Sequence, residues 1–256
     1  SMRLAVQAVA NKEVDGVISG GNTGAYMALA TILLKTIPGI SRPAIASTFP
    51  TYTDKCIMLD MGANIECSPD QLVEFAVMGK TFAQDLLNIE SPKIGLLNIG
   101  HEGLKGKPEL QEAHGKLKNI SSVLNYIGFV EGNDIPQGKS DVVVTDGFSG
   151  NIAIKTAEGL GSVILKVLKE KTQNNFFFKV LKFFLSNKKG GLTERFNPIK
   201  YNGAMLLGLK GLAIKSHGGA SDLGFANAVE VAYKLNQYNF SDQIQKDLIA
   251  TQTHLS

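Results

Sequence analysis

At 256 residues, with 44% hydrophobic and 19% charged positions, the chain can bury a sizeable core as one large α/β unit or two closely joined lobes. A formal net charge of +3, with no long basic tract and no interleaved aromatic ladder, argues against a nucleic-acid partner. Cys56 and Cys67 lack C-x-x-C spacing, so they read as reduced cytosolic thiols rather than a disulfide or zinc pair, and neither a secretory signal nor a membrane-spanning apolar run is visible.

Residues 2–10 have helical character but lack the capping signals of a first helix, as expected of a sequence that starts inside a domain. Residues 13–19 then give a short strand feeding the loop Gly20-Gly21-Asn22-Thr23-Gly24, and residues 24–34 a small-residue helix. Pro38-Gly39 and Arg42-Pro43 end it. Residues 44–49 and 56–60 read as two strands joined by a turn, a candidate hairpin. Ser68-Pro69-Asp70 is a strong helix start ahead of an apolar face through Leu72, Phe75, Phe82 and Leu86.

The pattern repeats. Residues 93–98 form a strand, 100–106 a loop, 108–117 a helix, 126–130 a strand and 141–146 another strand. Such alternation predicts an α/β fold, a mostly parallel open sheet sandwiched by helices, with right-handed crossovers. From near Asn151 a helix runs to about residue 171, residues 201–217 hold two short apolar runs, and residues 220–248 are helical. The expected organisation is a single α/β domain over residues 1–256, with a protruding amphipathic helical segment at about 172–196.

That segment concentrates Phe176, Phe177, Phe178, Phe183 and Phe184, five of the chain's thirteen phenylalanines, beside Lys179, Lys182, Lys188 and Lys189. Phe177, Val180, Leu181 and Phe184 recur at helical spacing on one face, and the lysines lie off it or follow it. This suits a helix lying in a membrane interface, and a dimer or core helix is the alternative.

Chemistry is expected where a strand's carboxyl end meets the next helix, because first-turn N–H groups and the helix dipole favour an anion there. Two stretches fit, residues 17–25 and residues 142–151, and together they predict one shared anion site. Residues 20–24 fail the G-x-G-x-x-G spacing of a dinucleotide fingerprint, so no nicotinamide cofactor is expected. The glycines can also serve a tight turn alone, although Asn22 and Thr23 add donors that such a turn does not need. Lys105, in a loop after a strand, suits a phosphate or a developing oxyanion, and equally a solvated loop. His217 could orient substrate, transfer a proton or bond to a neighbouring loop. No ligand cluster predicts a metal, and Ser149 lacks the G-x-S-x-G frame of a hydrolase.

Residues 19–25 (SGGNTGA), 59–64 (LDMGAN), 95–100 (GLLNIG), 142–151 (VVVTDGFSGN) and 203–222 (GAMLLGLKGLAIKSHGGASD), in that order, resemble the bacterial phosphate acyltransferases of the PlsX family over nearly the whole chain. The resemblance implies conversion of acyl-acyl carrier protein and inorganic phosphate to acyl phosphate for phospholipid synthesis, without a cofactor. It also implies a fold like isopropylmalate dehydrogenase and phosphotransacetylase, and a homodimer associated peripherally with the inner face of the plasma membrane. A downstream glycerol-phosphate acyltransferase would consume the product. The family's active-site lysine falls on Lys105 and its active-site asparagine on Asn151. Gly21, Asn22, Thr23, Gly24, Asn64, Ser149, Gly150 and His217 are the implied substrate-binding positions.

The family's opening strand and its Asp-x-Met-Gly-Gly-Asp loop are absent, so the chain is expected to be truncated relative to it. His101 stands where many members have a small or acidic residue, and the loop after Lys105 reads Gly-Lys-Pro. An acyl-coenzyme A phosphotransferase is the alternative within the fold, and a noncatalytic lipid-synthesis scaffold is the alternative outside catalysis.

Overall fold

Side chains of a strand point alternately to its two faces, and here the alternation sorts the core. The computed structural model describes residues 1–174 and 201–255. Ile57, Leu59, Val142 and Val144 enter one cluster and Cys56, Met58 and Val143 another, on opposite faces of the same strands.

Eight strands form one sheet: β1 (Gly16–Ser19), β2 (Ala44–Pro50), β3 (Lys55–Leu59), β4 (Ile94–Leu97), β5 (Tyr126–Val130), β6 (Val142–Val144), β7 (Ala204–Leu207) and β8 (Leu212–Lys215). Their spatial order is β1-β8-β7-β2-β3-β6-β4-β5. The β1–β8, β3–β6, β6–β4 and β4–β5 pairings are parallel and the other three antiparallel, so the sheet is mixed with a parallel majority. The expected β2–β3 hairpin is present.

The helices of the described residues are α1 (Met2–Ala10), α2 (Thr23–Leu34), α3 (Pro69–Leu87), α4 (Pro108–Asn119), α5 (Ser121–Leu124), α6 (Gly147–Asn174), α7 (Asp222–Leu235) and α8 (Phe240–Leu255). α3 begins where its capping box predicts, Ser68 and Gln71 exchanging side-chain and backbone bonds behind Pro69. α3, α4, α7 and α8 supply Phe75, Leu117, Ala228 and Ile244 to the larger cluster on one face. On the other, α1 and α2 bury Val6, Val9, Tyr26 and Ala30, and Ala153 of α6 packs on Met58 and its neighbours. Met61 packs against both of these clusters, so α2 and α6 share a face with Met61 between them.

Three readings change. The span 220–248 is two helices, broken after the α7 C-cap Asn236. The short α5 was not anticipated. Helix α6 starts at Gly147, not near Asn151. Residues 172–174 belong to α6, whereas Phe177, Val180, Leu181 and Phe184 lie outside the described residues.

Candidate active site

The loop after β3 is built around Asp60. Its fully buried carboxylate accepts from the backbone N–H of Ile45 (3.0 Å), Gly62 (3.2 Å), Ala63 (3.0 Å) and Asn64 (2.7 Å), and from the Asn64 side-chain amide (2.9 Å). Burial pushes the Asp60 carboxyl up, and the bonds from Ala63, Ile45 and Asn64 pull against it. Asn64 is buried too and also donates to the Pro43 carbonyl (2.9 Å). Its amide nitrogen is therefore already committed to holding this loop.

The α6 N-terminus rests on that loop. The Gly147 N–H donates to the Asn64 carbonyl (2.7 Å), and any Cβ on Gly147 or Gly150 would collide with the backbone of Asn64 or Asp60 respectively. Asn151, exposed on α6, lies over Gly62, whose φ of +124° suits glycine and whose missing Cβ would sit 3.3 Å from the Asn151 Nδ2. The Asp146 carboxylate caps the helix, its Oδ1 accepting from the Ser149 N–H at 2.6 Å. Its Oδ2 lies 3.4 Å from the Lys107 Nζ. The predicted anion position at this helix start is thus occupied by the protein's own carboxylate, and Ser149 and Gly150 sit inside the first turn rather than in a loop before it.

Lys105 lies in the neighbouring loop, after β4. Buried Asn98 holds that loop, donating from Nδ2 to the Lys105 carbonyl and accepting at Oδ1 from the Ile99 N–H, both at 2.9 Å. The Lys105 ammonium pairs with Glu102 at 2.9 Å, both side chains more than half exposed. The hydrogen bond from Lys105 holds the Glu102 carboxyl below its usual range. His101 ties the loop to β5, its Nδ1 3.0 Å from the Phe129 carbonyl and its Nε2 3.2 Å from Asp134. Strands β4 and β6 are parallel neighbours, so the loops carrying Lys105 and Asn151 leave one edge of the sheet side by side, bridged by Lys107 and Asp146.

Asn22 and His217 form a second group. The Ser216 N–H donates to the Ser19 carbonyl (2.9 Å), and the Gly21 N–H donates to the Ser19 Oγ (3.2 Å). Asn22 caps α2 through its Oδ1, which accepts from the Ala25 N–H (3.0 Å), and Thr23 and Gly24 open that helix. Asn202 organises the partner loop, accepting from the His217 N–H (2.8 Å) and donating to the Ser216 Oγ (2.9 Å). The His217 Nδ1 accepts from the Gly219 N–H (3.1 Å), which leaves Nε2 as the proton-bearing nitrogen of the neutral ring.

Three antiparallel pairings separate β1 from β3. β1 and β8 therefore run opposite to β3, β6 and β4, but the strands are staggered. Ser19 pairs with Lys215, Lys215 with Ala204, Met205 with Ala46, Ser47 with Met58 and Met58 with Val143, so the carboxyl ends of both sets come to nearly one level of the sheet. What connects the groups is α6, which carries Lys155 within electrostatic reach of Lys215 at the end of β8. The Lys215 ammonium is half-buried, donates to the Ser216 carbonyl, and is pushed down first by burial and then by Lys155. Asp60, Asn98, Lys107, Asp146, Asn202 and Lys215 were all missed as site residues. Asp60 and Lys215, polar residues closing apolar strands, carried a readable signal. Lys107 and Asp146 pair across 39 positions and Asn202 reaches residues 14 to 25 positions on, whereas the side-chain partners of Asn98 are local.

A family model described as fatty acid synthesis protein matches residues 1–243. The chain belongs to this family. Within it, the phosphate acyltransferase of Paramagnetospirillum magneticum is 49% identical over 96% of this chain and 70% of its own length. That of Rhodospirillum centenum is 48% identical over 100% of this chain and 72% of its own length. Beyond the family, the solved structure of a phosphotransacetylase from Streptococcus pyogenes aligns with a TM-score of 0.63 at 21% identity, over 92% of this chain and 67% of that one, which is a likeness of fold.

Proposed function

We propose that the chain is a phosphate acyltransferase that converts acyl-acyl carrier protein and inorganic phosphate to acyl phosphate for phospholipid synthesis. The observation that carries this reading beyond family membership is the bridging of the Lys105 loop and the Asn151 helix start, on neighbouring parallel strands, by Lys107 and Asp146. A phosphate oxygen attacks the thioester carbonyl, the C–O bond forms, and the tetrahedral intermediate collapses with loss of the carrier thiolate. Lys105 exchanges Glu102 for phosphate or balances the intermediate's charge, and Asn151 donates to its oxyanion. Gly21, Asn22, Thr23, Gly24, Asn64, Ser149, Gly150 and His217 hold substrate or shape the loops that do, with positioning supplying much of the acceleration. No cofactor or metal enters this scheme.

The chain acts as a homodimer in this reading. Leu160, Val163, Ile164 and Val167 are exposed on α6 at helical spacing, and such a stripe favours a partner helix. It works in the cytoplasm, at the inner face of the plasma membrane, through residues 172–196. Among the described residues no helix is long and apolar enough to cross a membrane. A glycerol-phosphate acyltransferase is the downstream consumer.

The deciding assay supplies acyl-acyl carrier protein and phosphate and detects acyl phosphate as its hydroxamate. Turnover with acyl-coenzyme A alone favours the acyl-coenzyme A phosphotransferase. No turnover with either donor favours the scaffold.

A further inference from the structure

Large apolar side chains gather around the lysine loop. Ile65 is 72% exposed, Ile99 78%, Leu104 92% and Phe148 56%. A single exposed isoleucine needs no explanation, but four large apolar side chains on two loops and the adjoining first turn of α6 do. Their adjacency follows from the bonds joining those loops. Ile65 and Phe148 each follow a partner of the Gly147 N–H to Asn64 carbonyl bond, and Ile99 and Leu104 belong to the loop that Lys107 ties to Asp146, two residues before Phe148.

Charge lies along the same rim. Lys105 and Lys107 are on the Leu104 side, and Arg42 lines an open groove with Ile65, Ala63, Asn64, Glu66 and Gln71. Hydrocarbon beside ammonium groups is the complement of an alkyl chain with an anionic head. We propose that Ile65, Ile99, Leu104 and Phe148 form the contact surface for the acyl chain of the substrate, running away from a head group at Lys105 and Lys107. This rests on the acyl-transfer reading above, and it names residues that set chain-length preference.

The test measures binding of hexyl phosphate and dodecyl phosphate, both kept monomeric, to the whole protein by calorimetry. Full burial would tighten binding about fourfold per methylene. A surface covering one side of the chain should still give the six added methylenes a gain on the order of tenfold or more. The double variant Ile99→Ser with Leu104→Ser, and separately Phe148→Ser, should erase most of that gain and leave hexyl phosphate binding unchanged, with an unaltered unfolding transition confirming the fold.

Equal affinity for the two lengths, or an undiminished gain in both variants, overturns the proposal. So does finding that the variants instead lose binding to anionic lipid vesicles or lose self-association while keeping the chain-length gain, which would assign the rim to a membrane or a second copy. Failure of the catalytic reading looks different: Lys105→Ala would turn over normally while the chain-length gain remained.

Discussion

Gly150 lies directly on the carbonyl oxygen of Asp60, so close that even a methyl group on its α-carbon would overlap that oxygen. The close approach seats α6 on the loop after β3, and the seat sets where Asn151 lies over Gly62. Gly150→Ala should therefore destabilise the protein by about 1–3 kcal/mol despite alanine's better helix propensity. Urea unfolding checks this. Equal or higher stability would mean that the helix start yields without cost.

Lys105→Ala and Asn151→Ala should each lower acyl transfer on the order of a hundredfold, by analogy with loss of one oxyanion donor. Both side chains are exposed, so the unfolding midpoint should barely move. Near-normal turnover in either folded variant removes that residue from the mechanism.

His114 supplies a pH dependence. Its ring stacks on Phe129 with centroids 4.4 Å apart, and its Nδ1 lies 2.8 Å from the Tyr126 hydroxyl. Burial, and then Lys118, depress its pKa in the folded state. The unfolded chain then binds the proton more readily, so stability is present above the ordinary imidazole pKa of about 6.5 and declines as pH falls below it. A thermal-unfolding series from pH 8 to pH 5 should show this decline, and His114→Gln should flatten it. An unchanged slope in the variant assigns the acid sensitivity elsewhere.

Phe177→Asp combined with Phe184→Asp, or removal of Lys179, Lys182, Lys188 and Lys189, should weaken pelleting with anionic liposomes while acyl transfer on dispersed substrate persists, because interfacial binding draws on apolar area and positive charge together. If both sets pellet like the unaltered protein, the segment serves some other purpose.

Local signals were legible and distant ones were not. Ser68 announced its helix because a cap needs a neighbour only three residues away, whereas Asn22, read as a donor, was not recognised as the cap of α2. The valines of β6 announced a buried strand because both its faces are covered. The start of α6 was misread because glycine is unfavourable inside a helix, and Gly147 and Gly150 are there for contacts with residues more than 80 positions earlier. Lys107 was passed over because its partner Asp146 is 39 residues on. The direction of β1 relative to β4 depends on β7 pairing with β2, an association between segments with nothing local to reveal it.

The reversal of strand direction within the sheet also turns two sets of loops toward each other. Along the row of paired residues from Ser19 and Lys215 through Ala204 to Met58 and Val143, β1 and β8 finish from one side, and β3 and β6 finish within one residue of it from the other. Helix α6 leaves the second set and carries Lys155 within electrostatic reach of Lys215, rising about 9 Å from Ser149 to Lys155. A ligand of about that length lying beside α6 reaches from one set of loops to the other.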